Sequence, residues 1–195
     1  MKQVKHTLWV ILFYTFLFSG CSAVAFYPFF TKDKVIEYPE VVGKWKLQTT
    51  NKISELRCEF ANGEVEWKYN LMLTNRKERV AEYEVTFFEI DRTIFADFIL
   101  KRGNVDVFAG RNLVEMHTVA KVIRDKNKCE FIGLNISWLK KELERRPHLI
   151  KHIRSEDRLL ITANSRQLVR FLKRLAHDSE VFAYKFNVTL LKVRN

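Results

Sequence analysis

The chain is poor in the residues that interrupt secondary structure, since its 195 residues include only 6 glycines and 3 prolines. Such a composition leaves little material for long flexible linkers, and the sequence contains no internal repeat or low-complexity tract. Hydrophobic residues instead make up 47% of the chain and aromatic residues 13%, with 16 phenylalanines among them. This is ample for a packed core, so the composition excludes a disordered protein and favours one domain.

Local signatures of catalysis are also missing. The sequence has no G-x-S-x-G or S-x-x-K nucleophile motif and no glycine-rich phosphate loop. Glu82 and Glu84 form a carboxylate pair, but a spacing of two places both on the exposed face of a strand, where solvation explains them. We therefore expect a protein that is not an enzyme and that carries no cofactor.

The histidines do not predict a metal site. His148 and His152 have the H-x-x-x-H spacing that places two imidazoles on one helix face, but Pro147 interrupts the helix and no third ligand is evident. His117 shares a strand face with Glu115 and Val119. Two interpretations are open: a face that lines a cavity in a closed sheet, or an ordinary strand histidine with satisfied hydrogen bonds, which we favour. We expect no metal ion.

The N-terminus has the pattern of an export signal. Lys2 and Lys5 precede an uncharged apolar run, residues 8–18, of the length that signal peptides use. Small residues then lead into a cysteine, in the order Phe18-Ser19-Gly20-Cys21. This segment resembles the lipobox of bacterial lipoproteins, in which the cysteine becomes the acylated first residue of the mature chain.

The lipobox resemblance implies a signal peptide over residues 1–20 and a lipidated tether over residues 21–40. Two acyl chains such as palmitate on Cys21 would hold the protein stably on a membrane, where one chain is marginal. In enterobacterial lipoproteins an Asp after the cysteine favours the inner membrane, so Ser22 implies the periplasmic side of the outer membrane. An uncleaved helical anchor stays open as the alternative, because residues 7–30 carry no charge.

The chain has an excess of positive charge, formally +11, of which Lys2 and Lys5 belong to the leader. The remaining body, at about +9, suggests an anionic partner, although surplus lysine and arginine also serve solubility alone. For an exported protein we expect lipid headgroups, lipopolysaccharide phosphates or an acidic protein, and no nucleic acid. The sequence predicts no oligomeric state.

Two cysteines, Cys58 and Cys129, remain once Cys21 is acylated. An even pair in an oxidising compartment permits a disulfide across a long loop, and two separate buried thiols are the alternative. The separation of the two Cα atoms decides between them, and the sequence does not supply it.

Residues 41–195 are expected to form one mainly β domain. Apolar residues alternate with polar ones over residues 64–74, and polar turns separate further alternating segments up to residue 134. Short links between consecutive strands imply an antiparallel meander.

Two helices are predicted late in this β chain. The first runs over residues 137–146 from a serine cap and ends before Pro147. Asn164 caps the second helix, with Gln167 in a capping-box pattern. Opposite its apolar stripe lies a basic face, the candidate contact for an anion or a partner, formed by Arg166, Arg170, Lys173 and Arg174.

The start of the domain adds a second resemblance. Gly43-Lys44-Trp45 resembles the G-x-W motif that begins the first strand of lipocalins, members of the calycin group. In that motif glycine permits a tight start of the strand and tryptophan closes the barrel floor. The resemblance implies an eight-stranded antiparallel barrel with a late helix outside, from which the extra helix at Ser137 departs. An open meander sheet with helices on one face is the alternative.

Two functions are open on this evidence. The first, which we expect, is a non-catalytic envelope lipoprotein that holds a small apolar or amphipathic, lipid-like ligand in the barrel interior. The alternative is an accessory protein that contacts an anionic membrane or an envelope protein complex through the basic helix face. An enclosed cavity would favour the first function, and a filled core beside a contiguous basic face would favour the second.

Overall fold

The computed structural model describes residues 23–49, 52–63, 67–75, 78–103, 115–154, 159–182 and 187–193. Within these ranges the strands are β1 (Val24–Ala25), β2 (Gly43–Thr49), β3 (Lys52–Asn62), β4 (Lys68–Asn75), β5 (Glu78–Ile90), β6 (Thr93–Gly103), β7 (His117–Asp125), β8 (Lys128–Gly133), β9 (His152–Arg154), β10 (Leu159–Ile161) and β11 (Asn187–Lys192). The helices are α1 (Ile136–Arg145) and α2 (Ser165–Leu175), and short 3-10 turns occur at Lys32–Lys34 and Pro39–Val41.

Eight of these strands close into an antiparallel barrel. Strands β2 to β8 follow one another as a meander, β11 lies between β8 and β2, and pairing of β6 with β7 completes the ring. The prediction of a mainly β fold with two late helices is confirmed, and the sheet forms a calycin-like barrel instead of staying open. Both helices lie between β8 and β11 in the chain.

Alternation along the strands produces two hydrophobic cores, one inside the barrel and one outside it. The interior core includes Trp45, Val85 and Phe131, all buried. The outer core forms where α1 and α2 cover the wall, and here Phe88, Phe95 and other residues of the opposite strand face meet buried helix residues. Covered parts of the wall are therefore apolar on both faces, as in sheets buried on two sides.

The middle of the barrel is filled by aromatic side chains. Phe131 lies at the centre, with ring centroids 5.5 Å from Phe98, 6.1 Å from Phe60 and 6.5 Å from Phe87. These four residues come from four different strands, and such ring separations are in the range of direct aromatic contact. The interior core is thus built from side chains that cross the barrel axis.

The G-x-W motif lies at one end of the barrel. Gly43 has a φ of +125°, a backbone conformation that glycine adopts more readily than any other residue. Trp45 is completely buried, and its Nε1–H donates a hydrogen bond to the carbonyl of Val41 at 2.7 Å. The Nζ atom of Lys192 lies 5.3 Å from the centroid of this indole ring. Trp45 therefore packs in the interior core near the start of β2.

The segment expected to be a tether is folded onto the domain from Ala23 onward. β1 pairs with β7 and β10, and both Ala25 and Phe29 are fully buried in the outer core. Further along, the backbone N–H of Ile36 donates to the carbonyl of Phe87 at 3.0 Å. The predicted boundary at residue 41 was therefore wrong, because these apolar residues complete the outer core.

The helices begin at asparagine caps. The side chain of Asn135 accepts a hydrogen bond from the N–H of Trp138, so α1 starts before the predicted serine cap at Ser137. Asn164 and Gln167 form the complete capping box predicted for α2. A cap of this kind satisfies backbone N–H groups that have no partner within the helix.

Candidate functional site

The predicted basic face lies on the exposed side of α2. Leu168, Phe171 and Leu172 are buried against the barrel, so the helix presents its four basic residues to solvent. They divide into two groups. Lys173 forms an ion pair with Asp91 of the β5–β6 turn at 3.3 Å, whereas no ion pair within the described residues involves the remaining three, Arg166, Arg170 and Arg174.

A groove lies beside this face, with a volume of about 440 Å³. One wall is α2, and the other is the segment of residues 147–151 that follows α1. Among the described residues, its lining contains the cationic side chains of Lys151, Arg170 and Arg174, together with His148, and no carboxylate. We call these four residues and the space between them the basic groove.

Apolar packing fixes the two walls of the basic groove. Ile150 is buried in the outer core together with Phe171 of α2, so the segment after α1 cannot move away from the helix without exposing both. A hydrogen bond from the N–H of Leu149 to the carbonyl of Arg146, at 2.9 Å, forms the turn that leads out of α1. The packing therefore holds the backbone on both sides of the basic groove in place.

A second depression, of about 510 Å³, lies at the start of α1. It contains Lys141 and Arg145 but also Glu142 and Glu180. Arg146 and Arg145 pair with Glu142, and their hydrogen bonds lower the pKa of that carboxyl. Charges of both signs neutralise one another here, so this depression has no preference for an ion of either sign.

A buried carboxylate–histidine pair lies on the outer wall of the barrel. Oδ1 of Asp97 is 2.7 Å from Nδ1 of His117, and Oδ2 accepts a hydrogen bond from the backbone N–H of Phe29 at 2.8 Å. Burial raises the pKa of Asp97, while the hydrogen bond with His117 acts in the opposite direction. His117 is thus a strand histidine with a satisfied hydrogen bond, because β7 turns this face toward the N-terminal segment and away from the barrel interior.

Asp97 is the member of this pair that the sequence reasoning missed. Its signal was present, since a carboxylate stands between Phe95 and Ile99 on one strand face that is otherwise apolar. A buried carboxylate needs partners for its oxygens, and such a residue therefore predicts a specific contact.

A row of four charged residues continues from this pair along the wall. Glu84 lies 2.6 Å from Lys68 and 3.8 Å from Lys101, and Lys101 lies 2.6 Å from Glu115. The hydrogen bond raises the pKa of Lys101 and lowers the pKa of Glu115. Glu84 is thus held by lysines instead of being only solvated, as the sequence suggested, and the four charges cancel.

Of the two alternatives left open for Cys58 and Cys129, the disulfide is not formed, because Cys129 is a free and buried thiol. Cys129 lies on β8 and Cys58 on β3, with β11 and β2 between them in the barrel. Three strand spacings amount to about 14 Å along the wall, whereas a disulfide requires Cα atoms within about 7 Å. Burial raises the pKa of Cys129 to about 12, so its thiol is neutral.

The two histidines of the H-x-x-x-H motif are separated by the structure. His148 is exposed in the basic groove, whereas Nδ1 of His152 on β9 lies 2.9 Å from the carbonyl of Ile150. Across the described ranges, no group of three or more His, Cys, Asp or Glu residues is arranged to hold a metal ion.

Cys21 and the lipobox lie outside the described residues. Neither α1 nor α2, the two helices described, is long and apolar enough to cross a membrane. No protein-family model, no curated protein and no solved structure matches this chain. The function is therefore inferred from the barrel, the basic groove and the N-terminal motif.

Proposed function

We propose that this chain is an exported, lipid-anchored, non-catalytic protein of the cell envelope that binds phosphate-bearing anionic groups in its basic groove. The observation that carries the proposal is the lining of the groove. In the described part of the chain, Lys151, Arg170 and Arg174 line one space without any carboxylate, and no ion pair there neutralises them.

The size and charge of the groove suit a phosphate headgroup. Ligand sites of small molecules span about 300 to 1,000 Å³, and the groove, at about 440 Å³, falls in this range. A basic residue near an anionic membrane surface contributes about 1 kcal/mol. Three such residues together supply about 3 kcal/mol, or a preference of about 100-fold for an anionic over a neutral lipid at moderate ionic strength.

The barrel interior offers less support for a bound lipid. A ligand there would have to displace the rings around Phe131, which contact one another across the barrel. A filled core beside a basic helix face favours contact with an anionic surface over ligand binding inside the barrel.

The anchor in this proposal is acylated Cys21. Its support is the lipobox, together with the folding of the chain from Ala23 onward, which leaves the cysteine two residues from the domain. We place the protein on the periplasmic side of the outer membrane because Ser22 follows the cysteine.

Metabolic labelling with a fatty-acid analogue tests the anchor. The wild-type chain should incorporate the label and fractionate with the envelope, whereas Cys21→Ser should do neither. Equal labelling of both chains would show that Cys21 is not acylated.

Lipid titration of the detergent-solubilised full chain tests the groove. Short-chain phosphatidylglycerol should bind at least about tenfold more tightly than short-chain phosphatidylcholine, and the difference should shrink as salt screens the charges. Inorganic pyrophosphate, as competitor, shows whether a free phosphate suffices. Equal affinity for the two lipids would contradict the proposal. A native mass of the purified chain that includes a bound small lipid would instead favour ligand binding in the barrel interior.

A further inference from the structure

An apolar surface lies where the chain emerges toward Cys21. β1, β10 and β9 form a small sheet beside the barrel, in which Val24 pairs with Leu160 and Leu160 pairs with Ile153. Register partners project from the same face of a sheet, so these three side chains form one row. The opposite face carries Ala25 and other residues of the outer core.

Exposed apolar side chains concentrate at Ile153 in this row and at the two residues that follow β1. Ile153 is 59% exposed, Tyr27 49% and Phe26 36%. In the described part of the chain, these are three of the four large hydrophobic residues that are exposed, the fourth being Ile123. We call the row of Val24, Leu160 and Ile153, together with Phe26 and Tyr27, which follow β1 in the chain, the anchor-side patch. A cluster of this kind marks a surface that contacts a partner or a membrane.

We infer that the anchor-side patch rests on the lipid bilayer in which Cys21 is anchored. The inference deepens the proposed function and rests on its lipid anchor. Cys21 is two positions before Ala23, with only Ser22 between them, and a fully extended chain spans at most about 3.6 Å per residue. The acylated residue therefore lies within about 7 Å of Ala23, the neighbour of Val24 in the patch.

The segment that carries the anchor is held in place. The N–H of Phe26 donates to the carbonyl of Ile161 at 3.2 Å, and the N–H of Phe29 donates to Asp97 at 2.8 Å. Because Ala25 is completely buried, the strand cannot lift away without opening the outer core. The acyl chains consequently enter the membrane at a fixed point on the domain, which brings the patch to the lipid surface.

Positive charge lies next to the patch. Lys151 of the basic groove precedes β9, and its carbonyl accepts a hydrogen bond from the N–H of Thr162 at 2.9 Å. Lys151 is exposed and lies two positions before Ile153, the spacing that puts two residues on one face of an extended segment. Aromatic residues and cationic side chains next to an apolar surface are typical of proteins that lie in the membrane interface. The patch and the basic groove therefore form one membrane-facing surface.

Fluorescence quenching of the full-length acylated chain in neutral phosphatidylcholine vesicles tests the inference. Brominated acyl chains quench tryptophans that touch the bilayer, so a tryptophan is introduced at one exposed isoleucine at a time. Ile153→Trp reports on the patch. Ile123→Trp is the matched control, since Ile123 is 41% exposed and lies six residues along β7 from His117, the register partner of Ala25.

We expect quenching of Ile153→Trp at least about threefold above the wild-type background, and background quenching for Ile123→Trp. Tyr27→Trp is a second reporter, and it should be quenched like Ile153→Trp. Equal quenching of Ile153→Trp and Ile123→Trp would overturn the inference, as would background quenching of both Ile153→Trp and Tyr27→Trp. In either case, protein that still floats with the vesicles would support the anchor independently. Quenching that required several chains per vesicle would assign the patch to a second copy and also overturn it. Protein that failed to float with the vesicles would contradict the anchor itself, and the inference with it.

Discussion

The carboxylate of Asp97 accepts a hydrogen bond from the backbone N–H of Phe29 at 2.8 Å, across 68 residues of sequence. The other carboxylate oxygen lies 2.7 Å from His117, and the Asp97 side chain is almost completely buried. Burying a carboxylate costs free energy unless its oxygens have partners. Asp97 and His117 therefore hold the N-terminal segment at Phe29 against the barrel wall.

Replacing Asp97 with alanine should destabilise the domain. The change leaves the N–H of Phe29 and the ring of His117 without their partner, and each buried unsatisfied group costs about 1 to 3 kcal/mol. We expect urea unfolding to show a loss of about 3 kcal/mol. Asp125→Ala is the control, because exposed Asp125 accepts only a local hydrogen bond from Lys126, and it should cost less than about 1 kcal/mol.

Loss of the hydrogen bond between Asp97 and Phe29 should also have a local effect on the N-terminal segment. Limited proteolysis of Asp97→Ala should cut before residue 40 at a denaturant concentration at which the wild-type chain is intact. Equal stability and equal cleavage of the Asp97→Ala and Asp125→Ala chains would show that the buried pair does not hold this segment.

Gly43→Ala should destabilise the barrel through its backbone alone. The φ of +125° at this position is strained for any residue with a Cβ, but the added methyl group would meet the Cε atom of Lys192 only at an ordinary 3.7 Å. Strain of this kind costs about 1 to 3 kcal/mol. Thermal unfolding should show this loss, whereas Lys44→Ala, at the exposed next position of β2, should leave the free energy of unfolding within about 0.5 kcal/mol. Identical melting temperatures for both variants would refute the account of the G-x-W motif.

Cys129 should not react with thiol reagents in the native protein. Its side chain is buried, and its pKa of about 12 keeps the reactive thiolate scarce at pH 8. Iodoacetamide labelling followed by peptide mass analysis should therefore show Cys129 unmodified in buffer and modified in urea. A Cys58–Cys129 disulfide in the peptide masses, or rapid labelling of Cys129 in buffer, would contradict its place in the interior core.

Local patterns predicted the mainly β fold and its two late helices, because these elements depend on neighbouring residues, whereas closure of the sheet into a barrel was left open. The capping box of Asn164 and Gln167 depends on four consecutive residues, and the alternation around Val85 depends on the two faces of one strand. Gly43 and Trp45 likewise lie two positions apart at the start of β2. Each of these features can be recognised without knowing where the rest of the chain lies.

Features that join distant segments could not be predicted in this way. Phe29 can donate its hydrogen bond to Asp97 only because the N-terminal segment covers the outer wall. Lys151 and Arg174 line the same groove only because the segment after α1 packs on α2. The sequence showed the basic face of the helix, but the opposite wall of the groove depends on tertiary packing. The same packing leaves Lys173 paired with Asp91.

Charge reversal in the basic groove tests the central claim most directly. Detergent-solubilised full-length protein with Arg170→Glu and Arg174→Glu is titrated with short-chain phosphatidylglycerol beside the wild type. The control carries Lys44→Glu and Lys126→Glu, which make the same change in net charge at exposed positions outside the groove. Removing two basic contacts should weaken binding at least about tenfold, since each contributes about 1 kcal/mol, and the control should stay within about twofold. Equal affinities for the groove variant and the control would contradict a phosphate site in the groove.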